Sequence, residues 1–441
     1  MRRRVFVKSG ALALVTLGLS PSFLRRTALA AELPRAHRGK TLVCLFQRGA
    51  ADALNVVVPH GERAYYALRP TIGIAPPSRA GDAGDRAIDL DGFFGLHPAL
   101  ASLQPLYADG LLAPIHAVGS PSATRSHFDA QDYMESGTPD RKSTADGWLN
   151  RYLAVAGTCE ACAGSGSTAS RNADTRGSGA TSATSPFRAV AMTAQTPRIL
   201  EGPEPAIAMS SLGDFTVRAS GSSAARLEAL YRTGTADLVH ASGSEMFEAV
   251  KLLRSANPQR YLPEHGAAYP RSPFAQRLRE IAQLIKCGVG LEIAFADVGG
   301  WDTHVNQGGA AGQLAARLRD FGDSIAAFVT DLGDRMDDVL ILTMSEFGRM
   351  ARQNGTGGTD HGHAGAMFAI GSQVRGGRVH GRWPGLEREQ LHEGRDLALT
   401  TDFRAVFSEL LSRHMGATDA ATIFPGYSAS RNDWLGVLRE G

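Results

Sequence analysis

Apolar and polar positions alternate along this chain in two distinct periods. Short continuous apolar runs at residues 41–46, 111–118, 291–297, 339–344 and 366–371 each end at glycine or at polar residues. Runs of this length, apolar but for Thr41, His116, Glu292, Asp297 and Thr343, read as strands buried on both faces of a largely parallel sheet. Between them the period changes. Residues 272–287 place Phe274, Leu278, Ile281, Leu284 and Ile285 on one helical face. Residues 311–334 do the same with Leu314, Leu318, Phe321, Ile325, Phe328 and Leu332, and residues 401–415 with Phe403, Val406, Phe407, Leu410 and Leu411. An apolar stripe at this spacing is the buried side of an amphipathic helix. Strands alternating with helices predict an α/β fold, and residues 291–344 read as one βαβ unit whose two strand C-termini emerge on the same edge.

The pattern breaks down in three places. Arg2-Arg-Arg-Val-Phe-Val-Lys8 precedes a weakly apolar stretch and the small-residue site Ala28-Leu-Ala30. This looks like a twin-arginine export signal over residues 1–30, which implies the twin-arginine translocase as a partner and a periplasmic or extracellular destination. An ordinary secretory signal or an uncleaved anchor are the weaker alternatives. The stretch is too short for a stable membrane span. Residues 154–186 collapse into Ala, Gly, Ser and Thr and read as a flexible low-complexity insertion. It holds Cys159 and Cys162, which could form a local disulfide or remain idle thiols. Residues 187–287 read as a mostly helical cap, with helices expected at 222–234, 236–257 and 272–287. The sheet domain is then residues 40–150 and 288–441. Over the whole chain, 46 Lys plus Arg against 44 Asp plus Glu give a net charge of +2 and no reason to expect nucleic acid.

Candidate chemistry collects where the strands end, which is where open α/β sheets bind ligands. Asp52 follows the first strand and is either a metal ligand or a helix N-cap. Ser126, beside Arg125, sits at a strand-to-helix turn suited to a nucleophile or an anion; Ser126-x-x-Asp129 is equally a capping box. Gly299-Gly-Trp-Asp-Thr-His304 brings Asp302 and His304 to the end of a third strand. The strand at 339–344 runs into Glu346, and a glycine-rich loop then supplies Asp360, His361 and His363. A mixed His/carboxylate set of this size suits one or two divalent ions such as Zn, Mn, Mg or Ca. Two ions about 3.5–4 Å apart would clamp an in-line displacement. Arg48, Arg125 and Arg349 lie next to these residues and are candidate contacts for an anionic substrate, or simply surface arginines.

Together, LFQRGAADALNVVVP (45–59), RSHFDAQDYMESGTPD (125–140), GGWDTH, LTMSEFGR and DHGHAG resemble the bacterial family called domain of unknown function 1501. That family is regarded as similar to sulfatases and so to the alkaline phosphatase superfamily. The resemblance implies a three-layer α/β/α sandwich of alkaline phosphatase/sulfatase type with a metal pair. It places the first-strand aspartate at Asp52, an Asp/His pair at Asp302 and His304, Glu346 and Phe347 in the slots of the later Asp-His, and His361 or His363 as the last histidine. Ser126 would be the nucleophile. No Cys-x-Pro-x-Arg motif is present, so a formylglycine sulfatase is not expected. The expected function is an exported metal-dependent hydrolase of phosphate or sulfate esters. The alternative is a non-catalytic periplasmic binding protein on the same fold.

Overall fold

The computed structural model describes residues 39–78, 84–157, 187–213, 261–428 and 430–440. The export signal, Cys159 and Cys162, and the expected helices at 222–234 and 236–257 lie outside these residues. The centre is an eight-stranded mixed sheet. In chain order its strands are β1 (Thr41–Gln47), β2 (Leu112–Gly119), β3 (Ala189–Ala191), β4 (Ile207–Ala208), β5 (Ile293–Val298), β6 (Val339–Met344), β7 (Gly365–Ile370) and β8 (Thr401–Asp402). They lie in the order β8-β2-β7-β6-β1-β5-β3-β4, and only β7 runs antiparallel to its neighbours.

The period-2 side-chain geometry of a strand explains the layers. Val43 and Leu45 of β1 face one apolar cluster, while Leu42, Cys44 and Phe46 face another. Helices α1 (His127–Ser136), α2 (Trp148–Gly157), α3 (Pro273–Lys286), α4 (Gln313–Leu332) and α5 (Phe403–Arg413) follow in chain order. The stripes of α3 and α4, including Phe274, Leu278, Leu318 and Phe328, cover the first face. Trp148, Leu149 and Tyr152 of α2 and Phe403, Phe407 and Leu410 of α5 cover the second. The protein is therefore an α/β sandwich with helices on both faces of a mixed sheet. No helix among the described residues is long and apolar enough to cross a membrane.

Helix α4 carries the chain from β5 across to β6, and both strands pair with β1 in parallel, one on each side. Val298 aligns with Gln47, and Phe46 with Met344, so three strand ends stop at one level. That level carries the site.

Two expectations need correction. The described first part of residues 187–287 is no helical cap: β3 and β4 extend the main sheet beside β5. Strands of two and three residues are too short to show a period, so the sequence pattern does not register them. Helix α2 also runs on through Ala154–Gly157, the expected start of the flexible insertion.

Burial has a consequence for acid stability. His97 donates from Nε2 to the Gly309 carbonyl and accepts from the Ala99 N–H at Nδ1. His116 likewise donates to the Val57 carbonyl and accepts from the Ala117 N–H. Both rings are locked neutral, and burial lowers the pKa of each to about 4. Burial does the same to His414, again to about 4. The unfolded chain binds these protons near pH 6.5. Stability is therefore complete above that pH and lost as pH falls toward 4, by up to about 1.4 kcal/mol per pH unit for each histidine. Urea midpoints measured from pH 7.5 to 4.5 should fall accordingly, and His116→Gln should flatten part of the slope. An unchanged midpoint across that range contradicts this account.

Candidate functional site

At the level where β1, β5 and β6 end, three loops leave the sheet. Gly49 follows β1 with φ of +117°, and a Cβ there would sit 2.7 Å from the Asp302 backbone nitrogen. Only glycine lets the first loop lie this close to the loop after β5. The loop after β6 turns back on itself. Met350 N–H donates to the Asp360 carbonyl at 2.8 Å, Gly348 N–H to His363 at 2.8 Å, and Thr359 N–H to Thr303 at 3.2 Å. The glycine-rich stretch is thereby zipped onto both the β5 loop and the start of its own loop.

This brings His361 to His304, with their Nε2 atoms 2.9 Å apart. Asp302 Oδ1 lies 3.0 Å from His304 Nε2 and 3.3 Å from His361 Nε2. A fourth side chain, His127, enters from the first turn of α1, its Nε2 3.5 Å from Asp302 Oδ2. His127, Asp302 and His361 present ligand atoms all within 4.8 Å of one another.

The outer nitrogen of each imidazole is already engaged. His127 Nδ1 lies 2.8 Å from Glu346 Oε1, His304 Nδ1 3.2 Å from Asp360 Oδ1, and His361 Nδ1 2.8 Å from the Arg125 carbonyl. A carbonyl or carboxylate oxygen only accepts, so each Nδ1 carries a proton, and in that neutral tautomer a ring turns an Nε2 lone pair inward. Three lone pairs facing one carboxylate repel unless a cation sits among them. His127 Nε2 is buried and has no hydrogen-bond partner. Imidazoles oriented from outside by carboxylates and a carbonyl are the usual support of a metal centre. The residues fit one divalent ion held by His127, Asp302 and His361, with His304 near enough to Asp302 and His361 to join them.

The electrostatics follow from the same contacts. Burial pushes the Asp302 carboxyl up, but the Arg349 hydrogen bond and the charges of Arg349, His304 and His127 outweigh it and hold the carboxyl below its usual range. Burial likewise raises Glu346, and hydrogen bonds from His127, Gln131 and the Gly49 N–H overcome it. The hydrogen bond to Glu346 lifts His127 above its ordinary value. Burial depresses His361.

The other expected ligands stand elsewhere. Asp52 is fully buried and gripped by Arg69 Nη1 and Nη2 at 2.6 and 2.8 Å, with Gln307 Nε2 at 2.6 Å. Its carboxylate is saturated, and it neither caps the short helix Ala53–Val56 nor joins the cluster. Glu346 and Asp360 orient histidines from behind. His363 stacks on His392 with ring centroids 4.2 Å apart, and burial lowers its pKa to about 4. Ser126 is exposed at the N-cap position of α1, where its side chain makes no cap hydrogen bond, and Asp129 pairs with Lys142.

None of the three arginines offers an uncommitted charge. Arg125 binds Asp396 and Glu393 and reaches the site through its carbonyl. Arg48 is held by Asp297 and Glu135. Arg349 is 1% exposed and lies under the site, donating to Ala50, Gly49, Trp301 and Thr359 carbonyls and to Asp302.

His127 belongs to no ligand-like motif in the sequence and opens a helix. Its one signal was position: it follows a strand-to-helix turn on the edge that carries the other ligands. Arg69 and Gln307 gave no signal, because their role exists only through buried contacts.

No curated protein matches the chain in sequence. The model of the family described as "Protein of unknown function (DUF1501)" matches residues 39–424. Spanning the β1 start, every residue of the histidine cluster and the α5 face, that match makes the chain a member of the DUF1501 family.

Proposed function

We propose that this protein is an exported hydrolase of phosphate or sulfate esters, built on a sandwich of alkaline phosphatase/sulfatase type and dependent on one divalent ion. The observation that carries the reading is the convergence of three Nε2 atoms on Asp302, with each outer nitrogen pinned. Imidazoles with one carboxylate favour Zn or Mn over Mg or Ca, which prefer oxygen ligands. When bound, such an ion supplies charge neutralisation and polarises an ester oxygen. The strand-end location and the twin-arginine-like leader support the reading, since that route exports proteins already folded around a cofactor.

The chain's own groups divide the remaining work. Ser126 stands one residue before His127 at the N-terminus of the ten-residue α1, where exposed N–H groups and the helix dipole favour an anion. Its Oγ forms the new bond to phosphorus or sulfur, the alcohol leaves, and water then releases phosphate or sulfate and restores the hydroxyl. Glu346, Asp360 and the Arg125 carbonyl keep the three rings in one tautomer. Arg349 holds Asp302 ionised.

A second reading is a non-catalytic periplasmic binding protein that keeps the ion. The commitment of Arg48, Arg125 and Arg349 to carboxylates favours it, because no guanidinium among them is left to receive an anion.

The mature protein should carry about one equivalent of Zn or Mn by elemental analysis. His127→Ala and His361→Ala should remove it, whereas Asp52→Asn should retain metal in the folded fraction while costing about 3–5 kcal/mol in urea unfolding, because it strands the buried Arg69 charge. Metal-free protein, or metal retained in both histidine variants, contradicts the site. Turnover of an aryl phosphate and sulfate panel should fall to background in Ser126→Ala with metal unchanged. Undiminished turnover places the nucleophile elsewhere, and a metal-loaded wild type without turnover selects the binding reading.

A further inference from the structure

The ring of His361 is bonded to a carbonyl that lies outside any regular element. Its Nδ1–H donates to the Arg125 carbonyl at 2.8 Å, and Arg125 belongs to the irregular stretch between β2 and α1. Among the described residues, the other hydrogen bonds of residues 122–126 stay within residues 120–140. Ser122 bonds Ser120 and Asp140, Thr124 bonds Ser122, Ser126 bonds Thr124, and the Ser126 carbonyl accepts from Ala130. Such bonds shape the turn without fixing where it sits against the loops after β5 and β6.

Asp396 supplies that hold. Arg125 Nε and Nη2 both donate to Asp396 Oδ2, at 3.1 and 2.6 Å. Asp396 is fully buried, and its backbone is fixed on two sides. Its N–H donates to the His392 carbonyl at 3.0 Å, its carbonyl accepts from the His392 N–H at 2.8 Å, and it bridges Met350 in antiparallel pairing. The neighbouring residues reach the histidine loop directly. Arg395 Nη2 donates to the His361 carbonyl at 2.9 Å, and the Leu397 carbonyl accepts from the Ala364 N–H at 3.2 Å. Residues 392–397 therefore hold His361 twice, by its backbone through Arg395 and by its ring through Arg125.

The Asp396–Arg125 pair contributes position more than strength. Asp396 Oδ1 is buried with no hydrogen-bond partner, and the Arg125 side chain is 29% exposed. A carboxylate buried with one oxygen unbonded is costly, and a partly exposed partner offsets little of that cost. A fixed carboxylate does fix the guanidinium, and with it the carbonyl of the same residue. Outer partners of this kind set the tautomer and aim of a metal-ligating imidazole.

We propose that Asp396 is a positioning residue of the metal site: acting through Arg125, it fixes the His361 ring in the tautomer and direction that present Nε2 to the ion. This rests on the metal-site reading above, and it gives Arg125, an expected contact for an anionic substrate, a different task.

Zinc affinity of the mature protein, measured by competition with a chromophoric chelator, tests the role. Asp396→Ala and Arg125→Ala should each weaken zinc binding about 10–100-fold, the range for loss of an outer partner. The double variant should be no weaker than Asp396→Ala alone, because the two residues act as one unit. Glu393→Gln removes the other carboxylate on Arg125, one whose side chain is 55% exposed, and should stay within about twofold of wild type. A second readout does not depend on bound metal. In metal-free protein carrying isotope-labelled histidine, the Nδ1 proton of His361, assigned by its absence in His361→Gln, should be visible in wild type and lost to exchange with water in both alanine variants. If Asp396→Ala does not fold, Arg125→Ala decides by the same two readouts. Unchanged zinc affinity in Arg125→Ala, additive losses in the double variant, or a retained His361 Nδ1 proton overturns the inference and leaves the metal site intact. Wild-type protein that binds no zinc overturns the metal-site reading, and this role falls with it.

Discussion

One buried guanidinium decides whether the site exists. Arg349 donates to carbonyls from the loop after β1, from Trp301 in the loop after β5 and from Thr359 in the returning loop, and to the Asp302 carboxylate itself. A planar donor with five fixed N–H groups can hold three loops in one geometry; a lysine ammonium cannot. Its charge would be costly at 1% exposure without the Asp302 carboxylate beside it. The same pair therefore satisfies the interior and fixes the one anionic member of the histidine cluster.

A second network lies deeper and supports the first. Arg69 binds Asp52 and also the carbonyls of Met350 and Ala351, beside Arg349 in the chain. Gln307 donates to Asp52 and accepts from Thr303 Oγ1 at 2.7 Å and Thr359 Oγ1 at 2.8 Å. Each of those threonines is a neighbour of a residue in or behind the cluster. Asp52 thus positions the loops that carry the histidine cluster while its own carboxylate is taken up by Arg69 and Gln307, apart from that cluster.

How much of this was legible depends on the range of the contact involved. The α/β class, β5, α4, β6 and the shared edge of their ends follow from local periodicity, which burial on both sheet faces writes into the chain. The grouping of Asp302, His304 and His361 was legible as residue types at strand ends. The mostly helical reading of 187–287 failed for its first part because β3 and β4 are too short to carry a period. His363 and His361 are two positions apart, and nothing local decides which ring turns inward. The decision comes from the Gly348–His363 and Met350–Asp360 backbone pairings, which no spacing rule encodes. Ser126 illustrates the reverse case: its capping-box pattern is present, yet Asp129 pairs with Lys142 instead.

The central claim is that His127, Asp302, His304 and His361 hold a single divalent ion. Anomalous diffraction from crystals of the mature protein grown with zinc tests it most directly. The account predicts one strong peak about 2.0–2.2 Å from the three Nε2 atoms and an Asp302 oxygen. A peak seated instead at His363 and His392, or none at those four residues with zinc present, would contradict it.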